Sequence, residues 1–332
     1  MKPSDQQLSS LERNFINAFQ GGFPLHEQPF EQVAKQLDCS EKKLIDTIDK
    51  LKQQKTLTRF GPLYDTARLG GGLTLAAMSV PKDRFDMVTQ QVNAYPEVAH
   101  NYRRDHPLNM WFVLATETPV ELVQVISSIE KDTALTVYNF PKQHEFYIGL
   151  QFDISEHGIH ETVSFPIQKS DENYLITDLD KKIIKQTQAG LPVTTRPYLD
   201  IARNIGCNES DVITHLRKML DSGVIRRIGA VPDHFRLGFK ANGMTVWDVP
   251  DERIMELGNQ VGQLSFVSHS YQRPRHLPLW RYNLFAMVHG HTRDTVNEKT
   301  EQIEQILGES CRAHEVLYST AILKKTGLRL AA

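Results

Sequence analysis

Two short segments of the sequence carry the same order of chemically active side chains. Histidine, tyrosine and arginine occupy alternate positions, as His269, Tyr271 and Arg273 (the His269 triplet) and as His100, Tyr102 and Arg104 (the His100 triplet). Alternate residues of a strand lie on one face of a sheet. Three side chains that would all need buried polar partners make a poor core surface. We therefore predict that each triplet lines the site of a polar ligand, against the alternative that the histidines are structural.

The stretch around the His269 triplet is poor in negative charge. No acidic residue lies between Glu256 and Asp294, although the chain has 40 Asp and Glu against 38 Lys and Arg. Arginine binds carboxylates through two parallel hydrogen bonds and stays charged, and aromatic rings offer flat walls. A solvated basic loop is the alternative interpretation, but the mixture of arginines and aromatic residues in this stretch favours a flat ligand with several carboxylates. The arginines and aromatic residues concerned are Arg273, Arg275, Arg281, Arg293, Phe266, Tyr271, Trp280, Tyr282 and Phe285.

The elements that position these residues follow from the hydrophobic spacing. Helical spacing predicts three helices that start near residues 8, 30 and 40, with Ser40 and its counterpart Asn208 as N-caps. They form a winged-type helix-turn-helix module. The next predicted elements are strand, helix, strand, strand, helix and a final extended region, at 73–80, 83–93, 97–103, 110–116, 119–131 and 135–152 in the first half, and at 241–249, 251–260, 264–271, 282–289, 292–307 and 314–323 in the second. This βαββαβ order predicts an α+β, ferredoxin-like sheet domain.

The two halves of the chain repeat one another. A shift of 168 positions aligns Cys39 with Cys207 and Glu41 with Glu209, which indicates a tandem duplication. Each sheet needs a cover for its free face, so we expect the two sheets to face each other in an intrachain pseudo-dimer. The predicted domains are a helix-turn-helix module at 1–62, a sheet domain at 63–154, a linker at 155–173, a second module at 174–229 and a second sheet domain at 230–332.

Composition narrows the class of protein. The 332 residues are 40% hydrophobic with a net charge of −2, which argues against a chain built to neutralise nucleic-acid phosphates. Three distant cysteines, Cys39, Cys207 and Cys311, form no CxxC pair and fit a reducing cytoplasm. The longest weakly polar stretch, 69–80, is shorter than the ~20 residues of a membrane span. We expect a cytoplasmic protein without a membrane partner.

Three segments of the chain carry a family resemblance. The segment Gly223-Val224-Ile225-Arg226-Arg227-Ile228-Gly229-Ala230, together with a helix-turn-helix module before a βαββαβ domain, resembles the Lrp/AsnC family of regulators. The other two are Val267-Ser268-His269-Ser270-Tyr271-Gln272-Arg273 with Trp280-Arg281-Tyr282-Asn283, and the matching first-half segment Val98-Ala99-His100-Asn101-Tyr102-Arg103-Arg104. They are similar to one branch of that family, the siroheme decarboxylases. The resemblance covers the whole chain, as if D-type and L-type subunits were fused. The first half lacks a counterpart of Arg275-His276 and Trp280-Arg281-Tyr282.

The resemblance implies a carbon–carbon lyase that removes CO2 from two acetate side chains of siroheme, giving 12,18-didecarboxysiroheme in heme d1 biosynthesis. No cofactor is implied, because iron-containing siroheme is the substrate, and no metal of the protein's own. Loss of CO2 leaves a carbanion that needs a proton, which histidine can supply near neutral pH.

The residues divide into two expected roles. His269 and His100 are candidate proton donors or iron-facing groups, and spacing does not distinguish which histidine does which; Tyr271 and Tyr102 are their hydrogen-bonding partners. The expected substrate-binding residues are Arg103, Arg104, Arg273, Arg275, His276, Trp280, Arg281 and Trp111.

A DNA-binding regulator that senses a small ligand is the alternative function, and a tetrapyrrole carrier or accessory subunit is another. The predicted recognition helices begin with Glu41 and Glu209, where phosphates would be met, and they differ between the halves. We therefore expect no DNA partner. The expected partners are siroheme and its decarboxylated products, a second copy of the chain and other enzymes of heme d1 synthesis.

Overall fold

A computed structural model describes residues 8–65, 68–149, 151–156 and 174–325, and the backbone of 158–163. The chain divides into two compact units, each of which takes a segment from both halves of the sequence. The helical unit is Met1–Leu69 with Gln151–Gly238, and the sheet unit is Gly70–Leu150 with Phe239–Ala332. Among the described residues, no helix has both the length and the apolar character that crossing a membrane requires.

The helices and strands are numbered in chain order. The helices are α1 (Ser10–Phe19), α2 (Pro29–Gln36), α3 (Glu41–Gln53), α4 (Phe85–Ala94), α5 (Pro119–Thr133), α6 (Asp178–Thr187), α7 (Pro197–Ile205), α8 (Glu209–Asp221), α9 (Ile254–Gly262) and α10 (Arg293–Leu307). The strands are β1 (Leu57–Tyr64), β2 (Gly72–Met78), β3 (Val98–Arg104), β4 (Met110–Thr116), β5 (Tyr138–Pro141), β6 (His144–Ile148), β7 (Gln151–Ser155), β8 (Gly158–Val163), β9 (Ile225–Pro232), β10 (Ala241–Asp248), β11 (Val267–Gln272), β12 (Leu284–Gly290) and β13 (Ala313–Lys325).

The helical unit holds both helix-turn-helix modules, α1 to α3 and α6 to α8. Both predicted N-caps are confirmed, because Ser40 accepts a hydrogen bond from the amide of Lys43 and the amide of Asn208, at the N-cap of α8, donates to the carboxylate of Asp211 at 3.4 Å. These bonds satisfy amides that a helix leaves unpaired at its start. Each module ends in a strand, β1 or β9, which the hydrophobic spacing did not predict.

The two modules are joined through those strands. β1 pairs antiparallel with β9, and Gly61 lies opposite Gly229. A Cβ atom on Gly229 would lie 2.3 Å from the carbonyl oxygen of Phe19, and one on Gly61 would lie 2.5 Å from the amide of Leu191. Glycine is required at both positions because the backbone of the opposite half passes so close.

The sheet unit contains a nine-stranded sheet of order β5-β2-β4-β3-β13-β10-β12-β11-β6. The first four strands in this order come from the first half of the chain and the next four from the second half. In each set of four, the strands that come first and third along the chain are central in the set, and those that come second and fourth flank them. The predicted ferredoxin-like arrangement is therefore confirmed in both halves. Helices α4 and α5 cover the outer face of one half through Val88, Val92 and Ile129. Helices α9 and α10 cover the other half.

The two halves exchange their final strands. β13 pairs first with β10 and then, from Ser319 onward, with β3, and β6 pairs with β11. β5 and β6 lie at opposite ends of the strand order, yet only Lys142 and Gln143 separate them along the chain. The sheet therefore curls until its ends meet.

The inner faces of the curled sheet meet in one core. Trp111 and Phe140 from the first half pack with Val246 and Phe285 from the second. The predicted intrachain pseudo-dimer, with each half covering the inner face of the other, is confirmed.

Two predicted segments differ in detail. The extended region predicted at 135–152 is three strands, β5, β6 and β7, because its backbone pairs with β2, β11 and β8 in turn. The predicted linker, 155–173, contains β8, which pairs with β7. Residues 157 and 164–173 of that segment lie outside the described residues.

Replacing Gly229 should destabilise the protein. We expect Gly229→Ala to lower the free energy of unfolding by about 2 kcal/mol, because the new methyl group overlaps a backbone carbonyl that cannot move freely. Gly22→Ala is the matched control, since no atom of the described residues lies within 4 Å of its Cβ position. Denaturant titrations of both variants measure the difference, and equal stabilities would contradict the close approach described here.

Candidate functional site

The His100 triplet lies on the inner face of the sheet. The intervening residues of β3 meet the outer helices: Asn101 donates to Asn93 of α4 at 2.9 Å, and the guanidinium of Arg103 lies 4.6 Å from the ring centroid of Phe85. The side chains of His100, Tyr102 and Arg104 therefore project to the opposite face. The His100 and Tyr102 rings are neighbours, with centroids 6.2 Å apart.

His100 is a buried, neutral histidine. Burial, with the nearby charge of Lys325, lowers its pKa from 6.5 to about 4, because both disfavour the imidazolium form. Its Nδ1 is buried and has no hydrogen-bond partner in the structure. Burial also raises the pKa of Tyr102, despite the opposing effect of Arg104. Near pH 7, both side chains are uncharged.

The His269 triplet occupies the matching place in the second half, with His269 and Tyr271 on β11 and Arg273 directly after its last residue. The His269 and Tyr271 ring centroids lie 6.1 Å apart, and the Arg273 guanidinium lies 4.9 Å from the ring centroid of Tyr271 and 5.8 Å from that of Phe285. Phe285 belongs to the inner core, so this triplet also faces inward. Both strands shift register just before the histidine, between Val98 and His100 and between Val267 and His269.

Arg104 and Arg273 are guanidinium groups without a contacting carboxylate among the described residues, although the charge of Glu145 acts on Arg273 from a greater distance. Neither lies within 4.0 Å of a carboxylate oxygen of the described residues, and the buried Nε of each lacks a hydrogen-bond partner. Each donates to a single backbone carbonyl, that of Leu317 or Phe140 respectively. Burial lowers the pKa of each to about 10. A buried cation with unused donors is costly unless an anion joins it.

The structure revises the roles of Arg275 and Arg281. Arg275 Nη1 lies 2.6 Å from Oδ1 of Asp248, and Arg281 Nε lies 2.7 Å from its Oδ2. Arg275 also contacts Asp251 at 3.2 Å. Tertiary structure therefore brings acids from β10 and the turn after it to a stretch that has none of its own, and both guanidinium groups are bound by the protein.

Trp111 and Trp280 are packing residues rather than walls of an open site. Both side chains are fully buried, with ring centroids 5.1 Å apart. Their indole N–H groups donate to the carbonyls of Leu108 and Tyr282. Buried rings with satisfied donors have no surface left for a ligand, so the expectation that they bind substrate is revised.

His276 and Arg103 lie apart from the triplets. His276 Nε2 is 2.8 Å from the carbonyl oxygen of Asn139, and its ring meets Phe140 edge to face at 4.7 Å. It anchors the segment after β11 to β5. Arg103 is exposed on the helix-covered face, opposite to His100. The two tyrosines, two histidines and Arg104 with Arg273 remain the candidate site.

One polar group of the site was missed. Ser268 Oγ lies 2.8 Å from Nδ1 of His269 and 2.7 Å from Nε2 of His289, and His289 is also hydrogen bonded to Asn242. These residues come from three strands, and only their pairing brings them together. The positions of Asn242 and His289 along the chain do not predict that they come together with Ser268. The only local indication is that a serine directly precedes His269.

Comparison with known proteins agrees with the duplicated architecture. The family model of the AsnC-like ligand binding domain matches residues 68–147 and 236–324. The model of the siroheme decarboxylase NirDL-like helix-turn-helix domain matches residues 12–57 and 180–226. Fold and matches together define a tandem protein that joins two helix-turn-helix modules to two AsnC-like ligand-binding domains.

Individual relatives narrow the class. The siroheme decarboxylase of Hydrogenobacter thermophilus is 31% identical over 95% of this chain and 93% of its own length. The NirH subunit of the siroheme decarboxylase of Pseudomonas aeruginosa is 58% identical over 46% of this chain and 90% of its own. A crystal structure of the siroheme decarboxylase NirDL in co-complex with an iron-uroporphyrin III analogue is 29% identical, has a TM-score of 0.69, and covers 96% of this chain and 92% of that one. The chain belongs to the siroheme decarboxylase family.

Removing the charge that holds Arg275 and Arg281 should destabilise the sheet unit. We expect Asp248→Asn to lower the free energy of unfolding by about 2 kcal/mol, because the largely buried guanidinium of Arg275 then keeps only the exposed carboxylate of Asp251 as an acidic partner. Glu256→Gln, which removes an exposed ion pair with Arg253, should leave the unfolding midpoint unchanged. Denaturant titration compares the two. A midpoint for Asp248→Asn equal to that of the control would mean that solvent, not Asp248, satisfies these arginines.

The buried state of His100 predicts a pH dependence of stability. The pKa of His100 falls from 6.5 to about 4 on folding. Between these two pH values, the His100 imidazole is protonated in the unfolded chain but not in the folded chain. Stability is therefore lost as the pH falls from 6.5 toward 4. Between pH 7 and pH 5, wild type should lose about 2 kcal/mol more than His100→Gln. Exposed His26→Gln is the control, and should lose as much as wild type in the same denaturant titrations.

Proposed function

We propose that this protein is a siroheme decarboxylase, a carbon–carbon lyase that removes CO2 from two acetate side chains of siroheme on the route to heme d1. The observation that carries the proposal is the pair of inward-facing guanidinium groups, Arg104 and Arg273, each with a buried Nε that has no hydrogen-bond partner and with no carboxylate of the described residues within 4.0 Å. A macrocycle with several carboxylates supplies the missing anions. Family membership, and the iron-uroporphyrin analogue bound to a related decarboxylase, support the same class of ligand.

The proposed binding step places non-reacting carboxylates on Arg104 and Arg273. Each guanidinium keeps an unpaired Nε–H for this purpose, and each lies beside a tyrosine of its own triplet. Binding at a fixed point of the inner face orients the macrocycle and converts the reaction into an intramolecular step. The scissile acetate is left unclamped beside a histidine.

The proposed reaction breaks the bond between the acetate methylene and its carboxyl carbon. The electron pair of that bond stays on the methylene, CO2 leaves, and the macrocycle delocalises the charge until a proton converts the methylene to a methyl group. Electrons and atoms balance without an oxidant, so we propose that no resident cofactor or metal takes part. His269 and His100 are the candidate donors and iron-facing groups, with Tyr271 and Tyr102 as hydrogen-bonding partners.

We propose that the helix-turn-helix modules serve as scaffold and do not bind DNA. The first turn of α8 holds Glu209, which is paired with Arg196, and Arg217 of the same helix donates to the carbonyl oxygen of Leu25 at 3.0 Å. Two side chains that α8 would present to DNA as a recognition helix are therefore bound within the protein. A gel shift with the upstream DNA of its own gene tests this, and a specific retarded band would contradict it.

The deciding experiment incubates purified protein with siroheme without oxygen and follows the mass of the tetrapyrrole. Two successive losses of CO2 are expected, whereas an unchanged mass with a shifted absorbance spectrum indicates a carrier. His269→Gln should lower kcat at least about 100-fold with little effect on binding. Arg273→Gln should weaken binding about tenfold or more. Arg203→Gln, on α7 of the helical unit with only an exposed contact to Asp200, is the control and should match wild type.

A further inference from the structure

A continuous chain of hydrogen bonds leads from His269 into the sheet. Ser268 Oγ bridges Nδ1 of His269 and Nε2 of His289, at 2.8 and 2.7 Å. On its far side, Nδ1 of His289 meets Oδ1 of Asn242, which lies opposite His289 in the β10–β12 pairing. Ser268, His289 and Asn242 are all buried. We call these three residues the Ser268 chain.

The side-chain oxygen of Asn242, Oδ1, determines which atom donates and which accepts in each hydrogen bond of the Ser268 chain. Because an amide oxygen can only accept, His289 carries a proton on Nδ1 and presents Nε2 as an acceptor. The single hydroxyl proton of Ser268 is donated to that Nε2, at 2.7 Å, rather than to the carbonyl oxygen of Met287, at 3.4 Å, and the hydroxyl oxygen then accepts from Nδ1 of His269. His269 is thereby held in one tautomer, with its proton on Nδ1 and with Nε2 on the opposite side of the ring from Ser268.

The first half of the chain lacks these groups. The residue before the histidine in β3 is Ala99, where β11 has Ser268, at matching register shifts. In the first half Val98 pairs with Leu114, and the next residue of β4 is Ala115. In the second half Val267 pairs with Val288, and the next residue of β12 is His289. Ala115 therefore occupies the position that His289 occupies in the second half. Nδ1 of His100 is buried without a hydrogen-bond partner. The two histidines therefore match in sequence but differ in what holds them.

We propose that Ser268, His289 and Asn242 are positioning residues that hold His269 in the Nδ1–H tautomer, so that Nε2 of His269 delivers the proton in the decarboxylation. This rests on the proposed function. As the Nε2–H bond of the His269 imidazolium breaks, a C–H bond forms at the methylene. The neutral ring left behind is the tautomer that the Ser268 chain already holds, so no second proton has to move. Solvent water then returns a proton to Nε2.

His100 takes the other part in this assignment. Its Nδ1 is buried without a hydrogen-bond partner among the described residues, so no counterpart of the Ser268 chain fixes its tautomer. An imidazole that is not held in one tautomer is poorly placed to deliver a proton but can still coordinate a metal ion. His100 is therefore the histidine that faces the iron of the substrate, and His269 is the one that faces the acetate.

The test compares two serines of one strand. Ser268→Ala removes the hydroxyl of the Ser268 chain. Ser270→Ala makes the same chemical change two residues away, at a side chain that is equally buried and whose Oγ has no hydrogen-bond partner in the structure. We expect Ser268→Ala to lower kcat about tenfold or more while the Kd for siroheme, from absorbance titration, changes less than about twofold. Ser270→Ala should alter neither.

A second pair of variants separates tautomer control from packing. His289→Leu removes the acceptor that receives the hydroxyl proton of Ser268, whereas His289→Gln keeps an acceptor oxygen near that place. His289→Leu should therefore lower kcat as Ser268→Ala does, and His289→Gln should recover part of the loss. A purely structural role would follow thermal stability instead, which circular dichroism of each variant records.

Nuclear magnetic resonance reports the tautomer directly. The protein is labelled with nitrogen-15 at histidine, and the two-bond nitrogen–proton correlations of the His269 ring are assigned as those that disappear in His269→Gln. These correlations should show the proton on Nδ1 in wild type and in Ser270→Ala but not in Ser268→Ala. A proton on Nε2 in wild type, or equal kcat for the two serine variants, would overturn the proposal. The tautomer of His269 is measured without substrate. If the wild-type protein leaves siroheme unchanged, that result refutes the proposed function but not the assignment of the tautomer.

Discussion

The exchange of final strands between the two halves is the constraint on which the site depends. β13 leaves its own half to pair with β3, and β6 leaves its own half to pair with β11. β3 and β11 carry the two triplets, so each triplet lies on a strand whose neighbour comes from the other half. Without that neighbour both strands would be sheet edges with unpaired amides and carbonyls. The exchange also curls the sheet, and curling turns both triplets inward.

Charge is distributed in two ways around this sheet. Arg275 and Arg281 share the carboxylate of Asp248, so their charge stabilises the segment that follows β11. Arg104 and Arg273 donate hydrogen bonds only to backbone carbonyls among the described residues, and a buried cation without a carboxylate in contact is not fully compensated. The protein thus satisfies the arginines that hold its structure and leaves unsatisfied the two that face inward. That contrast is the physical basis for placing an anionic ligand at the inner face.

Duplication has left matched residues in unmatched surroundings. His100 and His269 share a strand position, a register shift and a tyrosine two residues later. The neighbours differ, since Ala99 and Ala115 in the first half stand where Ser268 and His289 stand in the second. A histidine without a hydrogen-bond partner at Nδ1 and a histidine bound to a buried serine have different acid–base properties even when the motif around them is the same. Two halves of one ancestry can therefore divide one reaction between them.

The sequence by itself determined the duplication, the module types and the two triplets. The period of two in His-x-Tyr-x-Arg and the period of 3.6 in the helices are local properties, and local spacing decides which side chains share a face. For this reason β4 was predicted at its observed bounds, 110–116.

Only the tertiary structure decided which charges are already paired and which rings are core. Asp248 is far in sequence from Arg281 and Trp111 far from Trp280, and such contacts depend on how strands associate rather than on spacing along one strand. The same holds for β6, whose partner β11 lies in the other half, and for Asn242, which meets His289 only because β10 pairs with β12. A pattern within one segment carries no information on the segment that will pack against it, so the chemistry of the triplets could be predicted but their electrostatic partners could not.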